Sequence, residues 1–290
     1  MNSKLVIGTA NFGQSYGISR HKTKLSFQTM KKILSYANRH GIKSLDTAIS
    51  YGNTEKILGK FNLKNYKIFT KLPKLPKNCS NINQWVLKNI TNSIKRFKTK
   101  KISGIFLHHA EDLLGRNKKD LYDSLQKAKE KGLVEKIGVS IYNFKTLEKI
   151  LKEFKFDIVQ VPFNIFDRRL EHFKYLKKIK EKKIKIYIRS IFLKGILLLG
   201  TEKIPKNFFK WNPLFKLWNS WLARNKISNL NACINYVFNF KEVDKIIIGV
   251  SNLQQIKEIF NAVQNKTKLF PKNLFSNDQN LINPIKWKIK

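Results

Sequence analysis

Apolar positions along the chain follow two alternating rhythms. Short blocks of apolar residues, or runs in which every second residue is apolar, fall at Leu5 to Thr9, Ser44 to Asp46, Tyr66 to Thr70, Ile102 to His108, Ile137 to Ser140, Ile158 to Pro162, Lys185 to Ser190 and Lys245 to Gly249. These read as strands. Between them, apolar residues recur with helical spacing at about 26–40, 54–60, 81–98, 119–131, 144–154, 170–180, 214–238 and 253–263. Strict alternation of strand and helix implies a parallel sheet with crossover helices, an α/β fold. Eight such units suit closure into a (β/α)8 TIM barrel, a single domain spanning residues 1–290. A doubly wound open sheet is the alternative, weakened because no G-x-G-x-x-G opens a helix after the first strand.

No linker or internal repeat divides the chain. The connection from about Phe192 to Pro213 is the longest and holds Pro205, so it reads as a lid or substrate wall. From about 271 the chain carries Pro271, Pro284 and several Asn and Lys, which predicts a loosely attached tail.

Composition adds a warning. The 58 Lys and Arg against 19 Asp and Glu give a formal net charge of +39, a field that attracts nucleic acid, anionic lipid or acidic substrates. The lysines are nevertheless scattered over nearly every helix, with no basic arm or RNA-binding motif, which argues against specific nucleic-acid binding. Cys79 and Cys233 lie far apart, without disulfide-framework or metal-ligand spacing, so no metal site is expected. No run approaches the ~18 apolar residues of a membrane span, and a soluble, reducing, cytoplasmic setting is the expectation.

In a barrel of this kind, function collects at the carboxyl ends of the strands. Asp46 ends the second predicted strand, Lys71 follows the third in "IFTKL", His108 ends the fourth in "GIFLHHAED", and Tyr51 lies in the loop after the second. Singly, Asp46, Lys71 and Tyr51 have plainer readings: a turn cap, one more solvated lysine and a half-buried aromatic. Their placement at the ends of consecutive units favours shared chemistry. His109, beside His108, should point to the opposite face and read as structural.

Together these residues resemble the catalytic tetrad of the aldo-keto reductases. "DTAISYGNTE", "FTKL", "FLHHAED", "GLVEKIGVSIYN", "VQVPFN", "RSIFLKGILL" and "IIIGVSNLQQIKEI" resemble that family's segments in the expected order, over roughly residues 4–265. The resemblance implies reduction of an aldehyde or ketone by a nicotinamide cofactor. Tyr51 would donate the proton, with a nearby Lys71 cation lowering its pKa. Asp46 would hold Lys71, and His108 would orient the substrate carbonyl.

By the same resemblance, Ser140 and Gln160 would hold the nicotinamide amide, and Arg189 stands where many relatives carry a ring-stacking tyrosine. Its guanidinium could stack in the same way or pair with the pyrophosphate. Ser190, Leu193 and Gly195 would approach the pyrophosphate, while Gly249, Ser251, Asn252, Gln255 and Lys257 would meet the adenosine phosphate end. Gly249 and Gln255 replace the basic residues that many relatives use for the 2′-phosphate. NADP(H) is favoured over NAD(H) from family habit and the positive surroundings, with NAD(H) the alternative.

Asn11, Phe12, Phe163, Asn164 and Phe192 are candidate substrate-pocket walls, with ordinary barrel packing an equal reading for the phenylalanines. "FGQSYG" and "RSIFLKGILL" resemble a bacterial branch associated with surface-polysaccharide loci, implying a keto-sugar or sugar derivative. The expected partner is therefore a small carbonyl compound, with the protein a monomer or homo-oligomer and no membrane insertion. A regulatory nucleotide-binding protein without turnover, on the same barrel, is the competing function.

Overall fold

A parallel strand buried on both faces, by helices outside and by packed side chains in the lumen, is apolar inward and outward, and most strands here have that character. The computed structural model describes residues 2–13, 25–264 and 270–287. Its strands are β1 (Leu5–Gly8), β2 (Ser44–Asp46), β3 (Lys67–Leu72), β4 (Gly104–Leu107), β5 (Ile137–Ser140), β6 (Ile158–Pro162), β7 (Lys185–Arg189) and β8 (Val243–Gly249). Each pairs in parallel with the next, and β8 closes on β1 with Leu5 opposite Ile246 and Gly8 opposite Gly249. This is the (β/α)8 barrel that the rhythm predicts. The open-sheet alternative is excluded by closure.

Alternation divides the barrel interior into tiers. The middle tier is apolar: Val6, Phe69, Phe106, Ile158, Tyr187 and Ile247 form a cluster separate from the larger core under the helices. Two glycines make room for its rings. A Cβ on Gly104 would lie 2.7 Å from the Phe69 ring, and one on Gly138 2.8 Å from that of Phe106. Residues two places further along the strands, including Asp46, Lys71, Ser140, Gln160 and Arg189, form the upper tier at the carboxyl ends.

Helices Phe27–Arg39, Ile82–Phe97, Lys118–Glu130, Phe144–Glu153 and Leu253–Gln264 cover the outside. Ser26 and Asn81 cap the first two through side chains that accept from Thr29 N and Gln84 N. Two predicted helices are broken. Left-handed Lys174 (φ 55°) divides Arg169–His172 from Tyr175–Glu181, and Lys226 (φ 51°) separates Asn212–Arg224 from Asn229–Phe238. Apolar spacing continues across both breaks, so periodicity alone joins the pieces.

The long connection after β7 is folded into 3₁₀ turns, Leu193–Leu198, Thr201–Lys203 and Lys206–Trp211, that bury Ile196, Leu197, Ile204 and Phe208. The loose tail expected from about 271 is corrected by its packing. Leu274, Leu281 and Ile282 are fully buried, Ser276 N donates to Phe166 O (2.8 Å), and Asp278 accepts from Lys210 and Trp211. Each such apolar side chain contributes on the order of 2 kcal/mol, which offsets the ordering of a polar, proline-bearing segment. Among the described residues, no helix is long and apolar enough to cross a membrane.

Candidate active site

Asp46 closes β2 with its carboxylate facing the upper tier, 5% exposed. Its Oδ2 accepts from Lys71 Nζ at 2.6 Å and its Oδ1 from Gln160 Nε2 at 2.7 Å. Lys71 lies within β3, rather than after it, and is 1% exposed. A buried ammonium is costly unless paired and hydrogen-bonded. Here it also donates to Thr47 O at 2.8 Å. Burial pulls the Lys71 pKa down, and the Asp46 carboxylate opposes that pull.

The turn after β2 carries Tyr51 over this pair. Gly52 takes φ 57°, and Thr54 Oγ1 donates to Tyr51 O at 2.7 Å, which fixes the turn. Lys71 Nζ sits 5.5 Å from the Tyr51 ring centroid. The turn is clamped from behind by buried Glu55, in helix Thr54–Leu58. Glu55 accepts from Thr70 Oγ1 (2.7 Å), Ser93 Oγ (3.0 Å) and Arg96 Nε (2.6 Å). Thr70 precedes Lys71, so one carboxylate ties the tyrosine turn to the lysine strand. The phenol differs from the sequence expectation: its pKa is raised, first by burial and then by Asp46, so Tyr51 is a neutral, protonated phenol.

His108 stands one residue beyond β4, its N donating to Leu72 O. Its ring meets that of Tyr51 edge-on, centroids 6.0 Å apart, and its Nδ1 is 3.2 Å from Ser50 Oγ. Burial, then the positive charges of Lys71, Arg189 and His109, lower its pKa to about 3. The imidazole is therefore neutral at neutral pH. His109 is exposed.

Ser140 and Gln160 are brought together, Ser140 Oγ donating to Gln160 Oε1 at 3.2 Å, and Gln160 links both to Asp46. Arg189 ends β7. Its Nη2 donates to Ile141 O (2.9 Å), its Nη1 to Ser190 Oγ (3.3 Å), and its guanidinium lies 3.7 Å from the Tyr142 ring centroid. The loop beyond is conformationally unusual, with Ser190, Leu193, Lys194 and Gly195 all at positive φ, a strain that collects at functional sites. Leu193 N donates to Ser190 O and Gly195 N to Phe192 O, so both amides are used within the loop. The Leu193 side chain is fully buried.

On the far side of the mouth, Asn11 Nδ2 donates to Val250 O (2.6 Å) and Ser251 Oγ (3.1 Å), joining the ends of β1 and β8. Gln255 Oε1 accepts from Ser251 N, and Asn252 Oδ1 caps helix Leu253–Gln264 through Gln255 N. Gly249 and Lys257 are exposed. The proposed pocket walls are corrected in part. Phe12 and Phe163 are fully buried in the outer core, where Phe163 packs on Tyr236 and Phe240. Asn164 is 1% exposed and braces a turn, donating to Ser190 O and accepting from Phe166 N and Asp167 N. Asn11 and Phe192 keep partial exposure. Residues 14–17 of "FGQSYG" lie outside the described residues.

Sequence reasoning missed Ser50, Thr47 and Tyr142. Tyr142 follows the end of β5 by two residues, and the strand-end rule applied there would have found it.

Comparisons with known proteins identify the family and the fold. The sequence model of the Aldo/keto reductase family matches residues 4–272. D-arabinose 1-dehydrogenase of Saccharomyces cerevisiae is 28% identical over 149 residues, 48% of this chain and 43% of that protein, so the match spans less than half of the relative's length. Among solved structures, an aldo-keto reductase from Bacillus halodurans in its holo form superposes with a TM-score of 0.74 at 19% identity, covering 93% of this chain and 89% of that one. A glycerol dehydrogenase from Gluconobacter oxydans gives 0.67 at 17% identity, with 91% and 88% covered. At these identities the structural likeness speaks for the fold.

Proposed function

Since this chain belongs to the aldo/keto reductase family, we propose that it is an NADP(H)-dependent oxidoreductase that reduces an aldehyde or ketone, with Tyr51 as the proton donor. The observation that carries this reading is the sealed Lys71–Asp46 pair at 2.6 Å with the Tyr51 ring above it and neutral His108 beside it.

The residues at the mouth fit a nicotinamide dinucleotide in their chemistry. Among the described residues, Asn11 Oδ1 and Thr47 Oγ1 are buried polar atoms lacking a partner, and Ser140 and Gln160 present hydroxyl and amide groups suited to a carboxamide. Ser140, Gln160 and Arg189 would hold the nicotinamide end. Ser190, Gly195, Gly249, Ser251, Asn252 and Gln255 would line the path of the phosphates, with Leu193 contributing backbone alone. Bound there, the reduced cofactor supplies the hydride.

His108 would donate Nε2–H to the substrate carbonyl while its Nδ1 accepts from the Ser50 hydroxyl. That tautomer suits a neutral ring, which can orient the carbonyl without competing for the proton. As charge develops on the carbonyl oxygen, Tyr51 would pass its phenolic proton to it. The raised Tyr51 pKa is compatible with this role, because a developing alkoxide is a stronger base than a phenolate. Lys71 would stabilise the phenolate left behind, and Asp46, fixed by Gln160, would keep the ammonium in place.

NADP(H) is proposed over NAD(H) from the positive surroundings alone; Gly249 and Gln255 offer no cation to a 2′-phosphate, which keeps NAD(H) as the alternative. The substrate class is a keto-sugar or sugar derivative, a reading supported by the partial match to a sugar dehydrogenase. A cytoplasmic setting accords with two unpaired cysteines. The test titrates the protein with NADPH and NADH by fluorescence, then follows cofactor oxidation over aldehydes and keto-sugars beside Tyr51→Phe. Tight binding with turnover lost in the variant supports the reading. Failure of folded protein to bind either nucleotide overturns it.

A further inference from the structure

The barrel interior has a third tier below the apolar one, at the end away from the mouth. Lys67 lies two residues before Phe69, Lys185 two before Tyr187, Lys245 two before Ile247 and Lys136 two before Gly138. Phe69, Tyr187 and Ile247 belong to the interior cluster, and Gly138 faces the Phe106 ring. Strand alternation therefore directs all four lysines to the amino-terminal opening of the lumen. Closure of the barrel sets them in a ring, with Lys245 opposite Tyr187 in the β7–β8 register and the Lys136 carbonyl held by Ile105 N.

The lysines are close enough to oppose one another. Lys136 and Lys245 have lowered pKa values, first from burial and then from the charges of Lys67 and Lys185 among their neighbours. Among the described residues, none of the four makes an ion pair with a carboxylate; Lys245 donates to Ser3 O. The nearby acids are engaged by outer lysines: Asp244 by Lys180, Asp157 by Lys129 and Glu135 by Lys101. A groove of ≈ 570 Å³ adjoins the ring at Lys67; Lys64, Lys98 and Lys100 line it together with the Lys101–Glu135 ion pair. Like charges gathered in a partly buried ring weaken the fold unless something neutralises them.

We propose that the amino-terminal pole of the barrel binds a compact, multiply charged phosphate anion of the diphosphate type, held by Lys67, Lys136, Lys185 and Lys245. Each ammonium brings three donors and a localised charge suited to phosphate oxygens. A closed ring favours a compact anion over a polymer, which would need an extended track.

The test is calorimetric titration with inorganic pyrophosphate at a constant ionic strength of about 0.15 M. Wild type, Lys67→Gln/Lys185→Gln and a control with the same charge change on an outer helix, Lys31→Gln/Lys32→Gln, are compared. All are saturated with NADPH, or left without it if none binds, so the pole is read separately from the mouth. Saturable binding that weakens at least about tenfold in the pole variant and stays unchanged in the control is expected. Absence of saturable binding to wild type, or equal loss in the control, overturns the site. Lys136→Gln alone, checked by circular dichroism, serves if the double variant does not fold. ADP in place of pyrophosphate identifies the source. Weaker binding marks the free anion; equal or tighter binding, still lost in the pole variant, marks a nucleotide-borne diphosphate.

Discussion

The two ends of the barrel lumen are built from the same strands, each two residues away from one apolar tier, yet they handle charge in opposite ways. At the mouth, Lys71 is sealed and matched at 2.6 Å by Asp46, which Gln160 holds in turn. At the other pole, Lys67 and Lys185 are exposed, Lys136 and Lys245 are half-buried, and the neighbouring acids are drawn outward by other lysines. A paired, buried charge is set in place before any ligand arrives, whereas a crowded, unpaired one awaits a counter-charge. The contrast also separates two origins for lysine in a chain of net charge +39.

Breaking the mouth should have the largest effect. Lys71→Met strands the Asp46 carboxylate and is expected to cost about 3–5 kcal/mol in urea unfolding. Asp46→Asn/Lys71→Met should regain much of that stability without activity. Tyr51→Phe should lower kcat by about 10²–10⁴ while the NADPH Kd changes little. A smaller loss would transfer the proton-donor role elsewhere.

Acid sharpens the same comparison. The folded pKa of His108, about 3, lies below the ordinary 6.5, so the unfolded chain takes up this proton first. Its contribution is complete above about pH 6.5 and is lost as pH falls through that value toward 3, at up to about 1.4 kcal/mol per pH unit. His108→Gln should flatten the stability profile between those limits. An unchanged slope would mean that His108 is solvated.

Glu55→Gln should cost about 1–3 kcal/mol, because Arg96 is partly exposed and can rehydrate. The smallest effect belongs to the pole. In low salt without phosphate, Lys67→Gln/Lys185→Gln should raise stability by less than about 1 kcal/mol, a gain that added chloride removes. Destabilisation in that variant would show that the ring is not repulsive.

The barrel and the Asp46, Tyr51, Lys71 and His108 cluster were legible because alternation supplies the strands and function gathers at their ends. Phase was the missing datum for the pocket walls. Ile158 and Gln160 point into the lumen, so Phe163 shares the outward phase of Val159 and Val161 and packs under the helices. The helix breaks at Lys174 and Lys226 use lysines in left-handed backbone, for which residue type offers no signal. The raised Tyr51 pKa depends on burial that only the folded turn creates. Pro271 and Pro284 suggested a loose tail, while the apolar residues between them, Leu274, Leu281 and Ile282, anchor it.

The apolar tier of Val6, Phe69, Phe106, Ile158, Tyr187 and Ile247 separates the two ends of the lumen. Lys67 and Lys71 lie on one strand about 13 Å apart, with Phe69 and its neighbours filling the space between them. This septum insulates one end from the other. Variants at the two poles should then add within about 0.3–0.5 kcal/mol, so evolution or an engineer can rewrite either end while the other keeps its properties.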